Sequence, residues 1–385
     1  MKILIVLTYY RPHISGLTIY AERLAKAFAA RGHEVTVLTS GFKKELPREE
    51  FKEGIKIVRV PVLFKLSKGV IMPSFGRIAN QLVRETDVIQ LHLPQFDAAG
   101  VSFRGRLLKK PTVITYHCDL LMPPGLFNRI ANLGVSIMNR LTGIFTHSVV
   151  TYTQDYAENS PYLKQYLDKL RIIPPPVELP KVTDQAIHDF AQEHNPQDRH
   201  PVIGMATRFA TEKGVEVLLK ALPEVLKTYP DALVQFVGTY KNVFSEEAYF
   251  ERLHPEIEKY QAQGNWQFLG ELDPEQMARY YPNLDVLTVP SLNSTEAFGL
   301  VQIEAMMNGV PCVTSSLPGV RQPVLIHEMG AIFPIGDSHA LAQNLIAVVK
   351  KGKQSWKNEL AFSRYDPDSI AQAYEALFKD IQQSL

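Results

Sequence analysis

The stretch that decides the fold is Lys2-Ile-Leu-Ile-Val-Leu7, followed at a distance by Glu34-Val-Thr-Val-Leu-Thr39. The first run is apolar without interruption, the pattern of a strand buried on both faces of a parallel sheet. Residues 8–15 are rich in turn formers. Apolar side chains then recur at Leu17, Tyr20, Ala21, Leu24, Ala27 and Phe28 with a helical period, and Gly32 stops that helix. Strand, helix and strand make a β-α-β unit. Further strand-like runs at 56–61, 88–92, 112–117 and, after a helical stretch, 144–151 predict a doubly wound α/β domain.

Ile173-Pro-Pro-Pro-Val177 interrupts the alternation, because three prolines continue neither a helix nor a central strand. A second alternation begins at Pro201-Val-Ile-Gly-Met-Ala206. It predicts a helix over 215–228, strands over 232–237 and 266–269, and a helix over 274–281. A strand over 286–290, a helix over 300–308 and a strand over 311–314 follow. The expected organisation is a first Rossmann-like domain over 1–175, a second over 176–365, and a C-terminal helix over 366–385 packing back on the first. Such sheets bind ligands beyond the carboxyl ends of their strands, so the loops after strands should hold the chemistry.

Composition removes several classes. With 45% hydrophobic and 21% charged residues over 385 positions, the chain can bury a sizeable core and is not disordered. Cys118 and Cys312 are its only cysteines, too few for a disulfide framework, and no Cys/His spacing suits zinc. No signal peptide or transmembrane run is visible, so the expected location is cytoplasmic. Net charge is +1, yet residues 1–177 carry 24 Lys and Arg against 13 Asp and Glu, leaving the remainder acidic. A half this basic suits an anionic partner, and it equally suits a dipolar surface with no partner. No nucleic-acid recognition module accompanies it, and no G-x-G-x-x-G follows the first strand, which disfavours a nicotinamide dehydrogenase.

The most informative segment is Pro290-Ser-Leu-Asn-Ser-Thr-Glu-Ala-Phe-Gly-Leu-Val-Gln-Ile-Glu-Ala-Met-Met-Asn-Gly-Val-Pro311. A strand ends at Pro290, Ser294 or Thr295 is the expected helix N-cap, and Gly299 allows close backbone approach. Free N–H groups around Gly299, Leu300 and Val301 would suit a diphosphate. Glu296 before the helix could reach sugar hydroxyls, and Glu304, eight residues later, a ribose diol. A second segment, Gly204-Met-Ala-Thr-Arg-Phe-Ala-Thr-Glu-Lys-Gly214, places Arg208 and Lys213 in the loop after a strand. Two cations there would stabilise a leaving diphosphate without a metal.

The order Arg-x-x-x-x-Lys-Gly, then Glu-x-Phe-Gly-x-x-x-x-Glu-Ala-x-x-x-Gly-x-Pro, resembles the retaining glycosyltransferases of family 4. The resemblance implies the GT-B architecture, two Rossmann-like domains facing across a cleft. It implies transfer of a hexose from a UDP-glucose-like or GDP-mannose-like donor to a hydroxyl acceptor, lipid-linked or otherwise, by metal-independent front-side displacement, with no cofactor besides the donor. By similarity, Arg208 and Lys213 bind the diphosphate, Glu296 the sugar and Glu304 the ribose, with backbone of Phe298, Gly299, Leu300 and Val301 beside them. Leu269 and Gly238, at strand ends, would line the nucleotide site. In the first domain Gly16 matches a loop glycine facing the phosphates and His117 a histidine contacting the donor sugar. Asp119 is a secondary candidate. Two departures are Ser15-Gly16 where relatives often have paired glycines, and Gln322 where many carry glutamate. The competing readings are a GT-B-type sugar-nucleotide epimerase and a non-catalytic nucleotide-sugar-binding protein.

Residues 126–141 form an amphipathic pattern, with Phe127, Ile130, Leu133, Ile137, Met138 and Leu141 near helical spacing and Asn128, Arg129, Asn132, Asn139 and Arg140 between them. Taken alone, this reads as a helix packing its apolar side on its own sheet. With Arg104, Arg106, Lys109, Lys110, Lys65, Lys68 and Arg77, the segment also suits docking on an anionic membrane surface, at its inner face.

Overall fold

The structure, a computed structural model, describes residues 1–66, 69–121, 126–356 and 361–385. Lys68 lies outside them, as do the side chains of residues 126–130. The chain divides into two compact units, Met1–Val177 with Ser363–Leu385, and Glu178–Phe362.

In the first unit, β1 (Lys2–Val6), α1 (Gly16–Ala30) and β2 (Glu34–Gly41) are followed by β3 (Glu49–Lys52), β4 (Ile55–Pro61), β5 (Phe64–Leu66) and β6 (Gly69–Ile71). Next come α2 (Phe75–Glu85), β7 (Val88–Leu93), α3 (Ala98–Leu107), β8 (Thr112–Tyr116), α4 (Leu126–Phe145), β9 (Ser148–Thr151), α5 (Gln154–Asn159) and β10 (Leu170–Ile172). The eight-stranded sheet has the order β10-β9-β8-β7-β1-β2-β4-β3. Only β3 runs antiparallel to its neighbour. β1 is central, pairing Ile3 with both Val35 and Val88, which is why Lys2-Ile-Leu-Ile-Val-Leu7 needs apolar residues on both faces.

The second unit contains α6 (Asp184–His194), β11 (Val202–Ala206), α7 (Val215–Thr228), β12 (Leu233–Val237), α8 (Glu247–Ala262), β13 (Trp266–Gly270) and α9 (Pro274–Tyr280). After these come β14 (Val286–Val289), α10 (Leu300–Met306), β15 (Cys312–Ser315), α11 (Gln322–His327), β16 (Gly330–Phe333) and α12 (Ser338–Lys351). Its six parallel strands run β13-β12-β11-β14-β15-β16, over a core that includes Phe209, Leu218, Phe236 and Leu345. The chain then passes through α13 (Ala361–Tyr365) into α14 (Pro367–Gln383), which belongs to the first unit and packs on α1. Asp366 caps α14, accepting from the Ser369 N–H at 3.0 Å.

In both units the connections reverse direction beside the first strand, between β1 and β7 and between β11 and β14. Loops diverge at such a switch point and leave a crevice at the carboxyl edge.

Three local expectations fail. Residues 144–151 are not one strand, because α4 runs to Phe145 and Thr146 still donates its N–H to Thr142 O at 3.0 Å. Neither Ser294 nor Thr295 caps α10. Asn293 Oδ1 takes the Thr295 N–H at 3.1 Å and hydroxyl at 2.7 Å in a turn of its own, and Gly299 at φ 78° is the cap residue. The third failure concerns α4, whose apolar stripe does not face the sheet. Asn139, Thr142 and Gly143 turn inward while Leu133, Ile137, Leu141 and Ile144 are exposed. A small polar face lets the helix approach the 163–169 turn. Tyr162 donates to Asn139 O at 3.1 Å, Tyr166 to Arg140 O at 2.9 Å, and a Cβ on Gly143 would lie 2.3 Å from the Tyr166 ring.

Helix α14 is anchored by polar groups. The buried Tyr374 hydroxyl lies 2.8 Å from that of Tyr20 and 2.7 Å from Thr115 Oγ1. Glu375 accepts from Arg31 and sits 2.8 Å from His33 Nε2. Tyr374→Phe removes a buried partner from Tyr20 and leaves Thr115 only its bond from Gln90, and it should cost about 1–3 kcal/mol in chemical denaturation. The Arg31 hydrogen bonds, against the opposing effect of burial and with help from His33, hold the Glu375 carboxyl down at about 2. A depressed carboxylate contributes stability that is complete above its unfolded value of 4.5 and lost as pH falls toward 2. Glu375→Gln should therefore flatten the melting temperature's pH dependence across that window.

Candidate functional site

In the second unit the carboxyl edge is built by loops that bond to one another. Thr207 donates to Val237 O at 2.8 Å, Phe209 to Thr239 O at 2.7 Å, and Gly238 to Gly270 O at 2.7 Å. The ends of β11, β12 and β13 are thus one connected rim, carrying Arg208, Gly238 and Leu269. The loop after β11 is also joined to the loop after β14. Gly214 has φ 72°, and a Cβ there would lie 2.0 Å from Pro290 O, so only glycine fits. Next to this contact Leu292 donates its N–H to Glu212 O at 2.9 Å.

That junction brings Lys213 to Glu296, Nζ to Oε2, at 2.7 Å, with both side chains largely buried. The other carboxylate oxygen, Oε1, accepts the Gly299 N–H at 3.0 Å. Glu296 is therefore gripped by an ammonium and by the cap residue of α10, and both it and Lys213 line a small cavity with Thr207, Thr288, Ser291 and Val301. Arg208 is paired with Glu212 one helical turn away in the same loop. Glu304 is buried in the first turns of α10, where Tyr281 donates its hydroxyl to Oε2 at 2.7 Å. Phe298 is buried, and its carbonyl accepts from Gln302 Nε2 at 2.9 Å. Gln302 also reaches Val320 O at 2.9 Å, which fixes the turn into α10.

The first-unit candidates gather at the other carboxyl edge. Ser15 caps α1 by accepting the Thr18 N–H at 3.2 Å, which makes Gly16 the first helical residue. His117 follows β8 and is buried. Its Nε2 lies 2.8 Å from His92 Nδ1, its Nδ1 bonds the Tyr152 hydroxyl, and the Tyr20 ring meets it edge-on at 5.0 Å. Burial lowers the His92 pKa to about 3. Burial first, then the neighbouring His92, also pushes His117 far down, so both rings are neutral at physiological pH. Asp119 Oδ1 accepts from Tyr116 at 2.9 Å and Ser160 at 2.6 Å, which is a clasp between elements. Sequence reasoning missed Asp97, just past β7, whose carboxyl burial raises to about 6. It also missed His92, Tyr152, Glu212, Tyr281 and Gln302. Only His92 carried a usable signal, its place at a strand end.

Residues 187–380 match the family described as glycosyl transferases group 1, and residues 14–180 match glycosyltransferase family 4. The chain is a family-4 glycosyltransferase with the GT-B fold. An uncharacterized glycosyltransferase of Methanocaldococcus jannaschii is 25% identical over 86% of this chain and 85% of its own length. A phosphatidyl-myo-inositol mannosyltransferase of Mycolicibacterium smegmatis is 23% identical over 91% of this chain and 85% of its own. The crystal structure of Anabaena HepE in complex with UDP-glucose superposes with a TM-score of 0.78 at 20% identity, covering 99% of this chain and all of that one, 100%.

Gly214→Ala forces a non-glycine residue into a left-handed conformation and against Pro290 O. The glycosyltransferase should lose upwards of about 1–2 kcal/mol of stability, read as a lowered melting temperature.

Proposed function

We propose that this glycosyltransferase moves a hexose, with retention, from a UDP- or GDP-sugar to a hydroxyl of a sugar or lipid-linked acceptor. The observation that carries this is the Glu296 carboxylate, held between Lys213 Nζ at 2.7 Å and the Gly299 N–H at 3.0 Å, with Glu304 buried in the helix that begins next to it.

In this reading the donor diphosphate competes for the cations. Lys213 and Arg208 are neutralised by Glu296 and Glu212, and a diphosphate, with more charge and more acceptor oxygens, would draw both away. Glu296 would then be free to accept from sugar hydroxyls while the Gly299 N–H keeps it in place. Backbone N–H groups of Leu300 and Val301, in the first turn of α10, would face the phosphates. Glu304, held by the Tyr281 hydroxyl, would meet the ribose diol, and the rim at Gly238 and Leu269 would border the base.

As the sugar–phosphate bond breaks, negative charge grows on the diphosphate, and Arg208 and Lys213 stabilise it. This assigns to two side chains the charge that a metal would otherwise supply. The acceptor hydroxyl attacks from the same face and passes its proton to the departing phosphate oxygen. Orientation then supplies much of the rate enhancement. His117, neutral and held at both ring nitrogens, and Gly16, at the start of α1, would form the first unit's side of the reaction. No helix among the described residues is long and apolar enough to cross a membrane. We place the enzyme in the cytoplasm, at the inner face of an anionic membrane when its acceptor is lipid-linked.

A thermal-shift and product screen with UDP-, GDP- and ADP-sugars, with and without lipid extract, tests the reading. A donor at 100 times its Kd should stabilise the protein by about 2.7 kcal/mol. Glu296→Ala should lower nucleotide release by about 10²-fold, and EDTA should leave it unchanged. No stabilisation by any nucleotide or nucleotide sugar would overturn the proposal. Donor turnover without transfer would point to an epimerase.

A further inference from the structure

Helix α4 is built inside out. Leu133, Ile137, Leu141 and Ile144 stand 63%, 51%, 36% and 54% exposed, and their spacing puts them on one stripe. Helix α3 lies alongside, its Phe103 ring 5.2 Å from that of Phe145, and adds Phe103 at 49% and Leu107 at 70% exposure. A contiguous apolar ridge of this kind marks an interaction surface, unlike apolar residues scattered singly.

The charge carried by the two helices themselves is of one sign. Neither α3 nor α4 contains an Asp or Glu, while residues 98–145 carry Arg104, Arg106, Lys109, Lys110, Arg129 and Arg140. The one acid in that stretch is Asp119, which is buried and bonded to Tyr116 and Ser160. Beyond the ridge, Lys169 reaches the Gly143 carbonyl at the end of α4, with the exposed Asp168 beside it in the adjoining turn.

We propose that the α3–α4 ridge docks the first unit on an anionic phospholipid bilayer. The stripe enters the headgroup boundary, and the arginines and lysines meet lipid phosphates. The proposal rests on the lipid-linked reading of the acceptor above and identifies the surface that would meet its membrane. A second copy of the chain is a poorer occupant, since two such ridges would oppose like charges with no acid on either helix to pair them.

The full-length protein is sedimented with vesicles of phosphatidylcholine alone and of phosphatidylcholine with phosphatidylglycerol, at low and high salt. The expected result is binding to the anionic vesicles only, weakened by salt. Binding should fall about tenfold or more in Leu133→Gln/Ile137→Gln and in Arg104→Glu/Arg106→Glu/Lys109→Glu. Arg106, Lys109, Leu133 and Ile137 are exposed on α3, α4 and the turn after α3, Arg104 bonds Gly100 O within its own helix, and melting temperature checks the folding of both variants. If one variant does not fold, the lipid and salt dependence of the unaltered chain still decides. Binding to neither vesicle, equal binding to both, or binding indifferent to the variants would overturn the proposal. So would a dimer dissociated by Leu133→Gln/Ile137→Gln. Thermal stabilisation by a nucleotide sugar, measured without lipid, separates failure of docking from failure of the transferase reading.

Discussion

The backbone of Gly214 rests against the carbonyl of Pro290, and the charged part of the second unit depends on that contact. It joins the loop after β11 to the loop after β14, directly across the point where the sheet reverses its winding. Lys213 is the residue before the contact and Glu296 follows it in the other loop, so the two meet although 83 positions separate them. Any side chain at position 214 would prise the loops apart. The ammonium would then be a solvated charge, and the carboxylate a cap without a partner. A distance of a few ångströms in backbone packing thus decides whether two ordinary surface charges become one site.

The first unit is organised by buried polar groups bonded to one another, although Gln90 Oε1 and His92 Nε2 lack a partner among the described residues. Gln90, His92, Thr115, His117, Tyr20, Tyr152 and Tyr374 form a seam between the sheet and helices α1 and α14. In so dry a place each hydrogen bond is strong and each missing partner costly. The seam therefore holds α14, the last helix of the chain, on a sheet made by the first part of it. It also holds the His117 ring at both nitrogens, so changes at His92 or Tyr152 would act through its orientation.

The α/β class and the family were legible because their signals are local. Buried parallel strands announce themselves as apolar runs, and the Pro290-to-Pro311 segment reports a strand end, one loop and one short helix. The partners of the candidate residues were not legible. Tyr281 reaches Glu304 from 23 positions away, and His92 and Tyr152 reach His117 from 25 and 35. Nothing in the neighbourhood of either residue encodes such a meeting. The hairpin β5–β6 and the antiparallel β3 were missed for a related reason, since short edge strands need little apolar patterning.

From the sequence alone came two doubly wound sheets, the resemblance to family 4, and the identity of the residues at the strand ends. Period, composition and motif spacing are properties of neighbouring positions, and they survive without coordinates. The tertiary structure decided which charges pair, where α10 begins, and which side of α4 faces out. A helical period says that a helix has two faces, but the inner one is set by what packs against it. Here the inner partners are tyrosines reaching for helix carbonyls, so the polar face turned inward and the apolar face was left to solvent.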